Sequence, residues 1–268
     1  MQLTEFLQQN NINLPQELID LCHEGIAYMR DSLDVNHNHT HVELLLDNLT
    51  QLLKHEPHLN LNFRILLPAI CWHDVWKASR VMGTGKIKLL YENIYDGKGS
   101  EKMFRAYAKE IRLRIELLEP IAYCIRTHAS FSSLFPKSRI ISGTARLRRP
   151  GVVEARVLRD LDGLEVWNLK RFDSVINSIE YITPPLLKVA VWWFKTITLK
   201  TDENRFYFAW TKVEFKHRLR LVVEHCIGLI DEYEKIIPQE TIDLMPDYED
   251  ILYDLRQVAM ARLAQLEA

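Results

Sequence analysis

Ala69-Ile70-Cys71-Trp72-His73-Asp74-Val75-Trp76-Lys77 is the stretch on which the reading of this chain turns. An apolar run ends on an adjacent His-Asp pair. Imidazole nitrogen and carboxylate oxygen together suit divalent Zn, Mn, Fe, Co or Ni. One such pair also arises by chance, as a helix-end histidine bonded to backbone and an aspartate in the first polar turn. The case for a metal therefore depends on ligands supplied by the rest of the chain. Asn62 to Ser79 is predicted to be one helix, with Pro68 at its start or at a kink. From Pro68 to His73 it is apolar on nearly every side, which marks it as central. Lys77 lies three residues beyond Asp74, on the same helical side. A lysine beside a dication suits phosphate as a point charge.

Working outward, Leu3 to Gln9 reads as a short amphipathic helix, and a second runs from about Pro15 to Ser32. A third, from His41 to His55, carries Val42, Leu45, Leu46, Leu49, Leu52 and Leu53 on its inner side. The connector before it, His37-Asn38-His39-Thr40-His41, is either a metal-binding turn or a solvated polar loop. His41, at the helix start, can point inward, whereas His37 and His39 sit nearer solvent. Val81 to Gly99, with four glycines and several lysines, reads as a loop. Ser100 then caps a helix from Glu101 to about Ser130, kinked at Pro120. His128 ends its apolar side, as a ligand or as a core or capping histidine.

Phe131 to Gly151 reads as an irregular loop with Arg146, Arg148 and Arg149. Val152 to Ser178 is helical again and contains Arg159-Asp160-Leu161-Asp162-Gly163-Leu164-Glu165. Acidic groups among Val157, Leu158, Leu161 and Leu164 are costly to bury unless paired or metal-bound. An ion pair with Arg156 is the structural alternative. Leu186 to Thr198, Arg205 to Ile237 and Glu240 to Glu267 give three more helices, the last interrupted by Pro246. The expectation is an all-α fold: a helical domain over residues 1–180, with the helices of 181–268 packed on it as a C-terminal extension.

The chain has 268 residues, 47% hydrophobic and 26% charged, enough for a sizeable core. The net charge of −2 gives no general drive toward nucleic acid or anionic membrane, so an anionic substrate needs local charges. No apolar run is long enough to span a bilayer; Val189 to Phe194 is cut short by Lys195. Met1-Gln2-Leu3-Thr4-Glu5 lacks the basic-then-apolar pattern of a signal peptide, and Cys22, Cys71, Cys124 and Cys226 read as buried free thiols. A cytoplasmic protein is the expectation. Trp192, Trp193, Phe206, Tyr207, Phe208 and Trp210 are read as core, with a homodimer surface as the alternative.

Taken in order, His41, His73-Asp74 and Asp160-Leu161-Asp162 resemble the HD-domain superfamily of metal-dependent phosphohydrolases. His37 and His41-Val42 are similar to the "His-Asp-x-x-His-hydrophobic" opening of such domains, with Asn38 in the Asp position. His128-Ala129-Ser130-Phe131 is similar to a "His-Ser-Phe" segment. Asp160 to Glu165 is similar to "Asp-Ala-Asp-Arg-Leu-Asp", with Leu161, Gly163 and Glu165 as departures. The resemblance covers about residues 20 to 180. It implies an HD-like bundle in which His41, His73, Asp74 and Asp162 hold one divalent transition metal, with Asp160 as the alternative fourth ligand and Mg also admissible. His128 with His37 or His39 would supply a second metal. The implied reaction is attack of a metal-bound hydroxide on the phosphorus of a nucleotide or another small phosphate ester. Lys77 and His128 would neutralise the phosphate or protonate the leaving oxygen. Arg146, Arg148 and Arg149 either bind further phosphates or form a solvated basic loop. A non-catalytic, nucleotide-sensing HD protein is the other reading.

Overall fold

Three amphipathic helices lead the chain: α1 (Leu3–Gln9), α2 (Gln16–Arg30) and α3 (His39–His55). In this computed structural model, the described residues are 1–30, 32, 38–78, 86–128, 151–170, 172–173, 188, 191–192, 195, 201–236, 239–244 and 247–267. Next come α4 (Phe63–Trp72), the single turn α5 (Val75–Ala78), α6 (Lys86–Glu110), α7 (Ile115–His128) and α8 (Val153–Glu165). After a 3-10 turn at Glu203–Arg205, α9 (Ala209–Ile236), α10 (Gln239–Leu244) and α11 (Tyr248–Glu267) complete the chain. The protein is all-α, with no strand among the described residues. No helix among them is long and apolar enough to cross a membrane.

α4 is the axis of the first unit. Asn62 starts it by accepting the Arg64 N–H on its side chain, 3.1 Å away. Leu66 through Trp72 are all buried, and the helix packs against α2, α3, α6, α7 and α8. A helix apolar on every side has to be surrounded to be stable, and five neighbours supply that. Trp72, fully buried, packs against Tyr28 of α2 and against Phe104 and Tyr107 of α6, with centroids 5.4, 5.7 and 5.2 Å away. Its indole N–H donates to the Leu21 carbonyl at 2.8 Å. Gly25 permits the approach of α2: a Cβ there would lie 2.5 Å from the Cys71 carbonyl and 2.7 Å from the Trp72 ring.

Several boundaries differ from the sequence expectation, each for a physical reason. The stretch Asn62–Ser79 is not one helix; it breaks at His73–Asp74, between α4 and α5. The predicted loop before Ser100 is largely helix, because α6 begins at Lys86. Its Gly97 and Gly99 serve close packing. A Cβ on Gly97 would lie 2.6 Å from the Arg126 carbonyl, and one on Gly99 would strike the Trp76 ring. Ser100 lies inside α6, not at its start, and its hydroxyl accepts the Trp76 N–H at 3.2 Å. The predicted helix Glu101–Ser130 is two helices, joined by a turn in which Arg112 has φ 55°. The helix predicted over 152–178 ends at Glu165. His37, residues 131–150 of the predicted loop with Arg146, Arg148 and Arg149, Trp193 and the expected boundary near residue 180 lie outside the described residues.

The chain divides into two compact units, Met1–Glu165 with Tyr207–Thr211, and Val166–Phe206 with Lys212–Ala268. In the second, Phe215 packs against Trp167 and Phe206 with centroids 5.4 and 4.9 Å away. Of the aromatic residues read as core, Phe206 is buried and Trp192 is exposed.

All four cysteines are buried free thiols. Burial pushes the Cys124 and Cys226 thiols up to about 12, and burial with contact to Cys71 pushes Cys22 well above its ordinary value. An aromatic disulfide reagent at about pH 8 is therefore expected to titrate almost no thiol in the native protein and all four after unfolding. A fast-reacting native thiol, measured as rapid colour release, would contradict this packing.

Candidate metal centre

Three helix ends bring the candidate ligands together. His41 stands in the first turn of α3, which Asn38 caps by accepting the Thr40 N–H at 2.9 Å. His73 and Asp74 occupy the break after α4, and Asp162 lies near the end of α8. His41, His73 and Asp74 are buried, whereas the Asp162 side chain is 21% exposed. The site therefore reaches solvent on the Asp162 side.

One donor atom from each of His41, His73, Asp74 and Asp162 lies within 4.8 Å of the other three. The His41 and His73 Nε2 atoms are 3.1 Å apart. Asp74 Oδ2 is 3.5 Å from His41 Nε2 and 3.4 Å from His73 Nε2. Asp162 Oδ1 is 3.4 and 3.9 Å from the same two nitrogens. Ligands about 2.0–2.2 Å from one ion, at tetrahedral or octahedral angles, stand about 3.0–3.6 Å apart. All but the longest of these separations fall in that range.

The tautomer of His73 also fits. Its Nδ1 is 2.7 Å from the Ile70 carbonyl, which can only accept, so Nδ1 carries the proton and Nε2 turns its lone pair to the cluster. Two carboxylates facing such nitrogens need cations or protons between them. The donor set could thus hold a metal ion.

The other oxygen of Asp74 faces a different pair. Asp74 Oδ1 lies 3.3 Å from Lys77 Nζ and 3.4 Å from His128 Nε2. His128 donates from Nδ1 to the Ile125 carbonyl at 2.6 Å, so its Nε2 is the atom offered to the site. Burial pushes the Asp74 carboxyl up, but Lys77, His73 and His128 outweigh it and hold the group well below the usual carboxylate range. Burial likewise opposes ionisation of Asp162, and the His41 hydrogen bond reverses this, so its carboxyl also lies below its ordinary value.

Asp160 is turned away from the cluster. Its Oδ2 accepts the Tyr207 N–H at 2.7 Å, the Phe208 N–H at 3.1 Å and the Thr211 hydroxyl at 2.7 Å. Arg156 lies over the Tyr207 ring at 5.6 Å. Burial pushes the Asp160 carboxyl up to about 6, against the pull of those three donors. Asp160→Ala leaves two backbone N–H groups without their acceptor and is expected to cost about 2–4 kcal/mol by urea unfolding. Asp160→Asn keeps an acceptor oxygen and should lose much less. Equal losses in the two variants would show that the charge, not the acceptor, matters.

Two contributors escaped the sequence reading. Asn48 donates to Glu165 Oε1 at 2.6 Å, a buried link between α3 and α8. Asn48 lies seven residues after His41 and Glu165 three after Asp162, so the link clamps the two ligand-bearing helices about two turns from His41 and one from Asp162. An amide amid Leu45, Leu46, Leu49 and Leu52 was the available signal. The Tyr207–Thr211 segment, which fixes Asp160, carried none. No family model, curated protein or solved structure matches this chain.

Proposed function

We propose that the chain is an HD-type metal-dependent phosphohydrolase acting on a nucleotide or another small phosphate ester. One observation carries the reading: two imidazoles and two carboxylates from three helices converge within 4.8 Å. His41, His73, Asp74 and Asp162 would hold the dication. Bound there, it would lower the pKa of a coordinated water toward neutrality and polarise a phosphoryl oxygen.

The remaining work belongs to the chain. Asp74 joins two tasks, one oxygen among the ligands and the other on Lys77 and His128. Lys77, 20% exposed, puts a positive charge at the mouth of the site, where it can neutralise phosphate. His128, with Nδ1 committed to Ile125, can present a proton from Nε2 to a leaving oxygen. The surrounding apolar side chains exclude water and strengthen both effects. Buried free thiols accord with a reducing, cytoplasmic setting.

The test is metal analysis after reconstitution with Mn, Co, Ni or Mg, followed by a screen of nucleotides, sugar phosphates and a generic aryl phosphate. About one equivalent of metal with metal-dependent release of phosphate or alcohol is expected. Less than about a tenth of an equivalent with every metal would sink the site. Nucleotide binding without turnover would instead indicate the sensing role.

A further inference from the structure

The first unit carries a second concave site, unrelated to the metal. The α1–α2 loop, Asn10 to Leu14, and the stretch Asn60 to Arg64 leading into α4 line a groove of about 650 Å³ with Glu154 of α8. This volume is in the range that takes a small organic ligand. Asn62 and Glu154 stand at the starts of α4 and α8, whereas His73 and Asp162 stand at or near their ends. At 1.5 Å per helical residue, groove and metal centre are about 12–16 Å apart along the helices.

Glu154 is 8% exposed, and a carboxylate this buried needs partners. One oxygen accepts the Asn62 N–H at 2.9 Å. The other makes no hydrogen bond among the described residues, and the groove is where a donor can reach it. Five carboxamides share the lining. Asn10 donates to the Phe6 carbonyl, which leaves its oxygen to accept. Asn62 uses its oxygen on Arg64 N–H, which leaves its amide to donate. Asn11, held at φ 53°, Asn13 and Asn60 are exposed and offer both. Leu14, Leu61 and Phe63 add an apolar component.

The charges of Glu154 and Arg64 offset one another, so neither a phosphate nor a strong cation is selected. Ligand hydroxyls both donate and accept, which is what paired carboxamides and a carboxylate oxygen complement. The C–H faces of a sugar ring would suit Phe63 and the leucines. A peptide strand would need a row of backbone partners, and the described residues contain no strand. We propose that this groove is a binding site for a neutral polyhydroxylated ligand, a mono- or disaccharide in size, held by Glu154 and the asparagine amides.

The test is saturation-transfer NMR and calorimetry on the full chain with glucose, mannose, N-acetylglucosamine, maltose and chitobiose. Saturation transfer to at least one sugar is expected. Glu154→Gln should weaken that binding about tenfold, the usual cost of losing a charged hydrogen bond. Because Glu154 also holds Asn62, the paired exposed changes Asn13→Leu and Asn60→Leu provide a second arm, with a similar loss and an unchanged circular dichroism spectrum. Silence from all five sugars, or full binding in the Leu pair, overturns the proposal. The metal content of each variant reports separately on the other site.

Discussion

On the proposed function, Asp74→Ala is expected to abolish metal binding and phosphohydrolase turnover together. Its two oxygens face His41 and His73 on one side and Lys77 and His128 on the other. Removing it deletes a candidate ligand and the carboxylate oxygen that lies 3.3 Å from Lys77 Nζ. Transition-state charge stabilisation by a metal amounts to several kcal/mol, so kcat/KM should fall by at least about 10³-fold. The measurement pairs initial rates with metal content by mass spectrometry. Hydrolysis that survives the substitution would place the chemistry elsewhere. Asp74→Asn is the sharper companion: its shape is retained, so a comparable loss would identify the charge as the cause.

Trp72→Ala is expected to have the largest effect on stability. The indole is fully buried between α2 and α6, and its N–H satisfies the Leu21 carbonyl. Large-to-small changes at such aromatic sites cost about 3–5 kcal/mol. That is a large share of the 5–15 kcal/mol typical of a domain. Urea denaturation should show a strongly lowered midpoint, or a chain already unfolded in buffer. Trp72→Phe should cost clearly less. A small effect of Trp72→Ala would mean that Tyr28 and Tyr107 close the gap. His73 directly follows Trp72, so this packing also holds the candidate metal centre in place.

The helical class was legible in the apolar periodicity; the four converging candidate ligands came from the resemblance, and each of them interrupts an apolar pattern. His41 opens one helix, His73-Asp74 closes another, and Asp162 is acidic amid buried leucines. The sequence left Asp160 and Asp162 open, and spacing could not separate them. Their side chains diverge, one toward His41 and the other toward Tyr207, Phe208 and Thr211. The start of α6 was illegible for a different reason. Gly97 and Gly99 carry the local signature of a loop, yet they are glycine because Arg126 and Trp76 come too close for a side chain. Ser100 misled in the same way, since its cap serves a neighbouring helix. The break after Glu110 uses Arg112 in the left-handed region, with neither Gly nor Pro to announce it.

The attachment of Asp160 to Tyr207, Phe208 and Thr211 bears on the order in which the chain is made. The unit holding the candidate metal centre is not a continuous length of polypeptide. During synthesis, α8 emerges with the Asp160 carboxylate still lacking all three of its donors. More than forty residues must follow before they arrive. Until then the helix that carries Asp162 lacks one of its anchors. No single cut in the chain would release this unit complete, and a gene fragment ending near residue 180 would encode the candidate ligands without the segment that braces them.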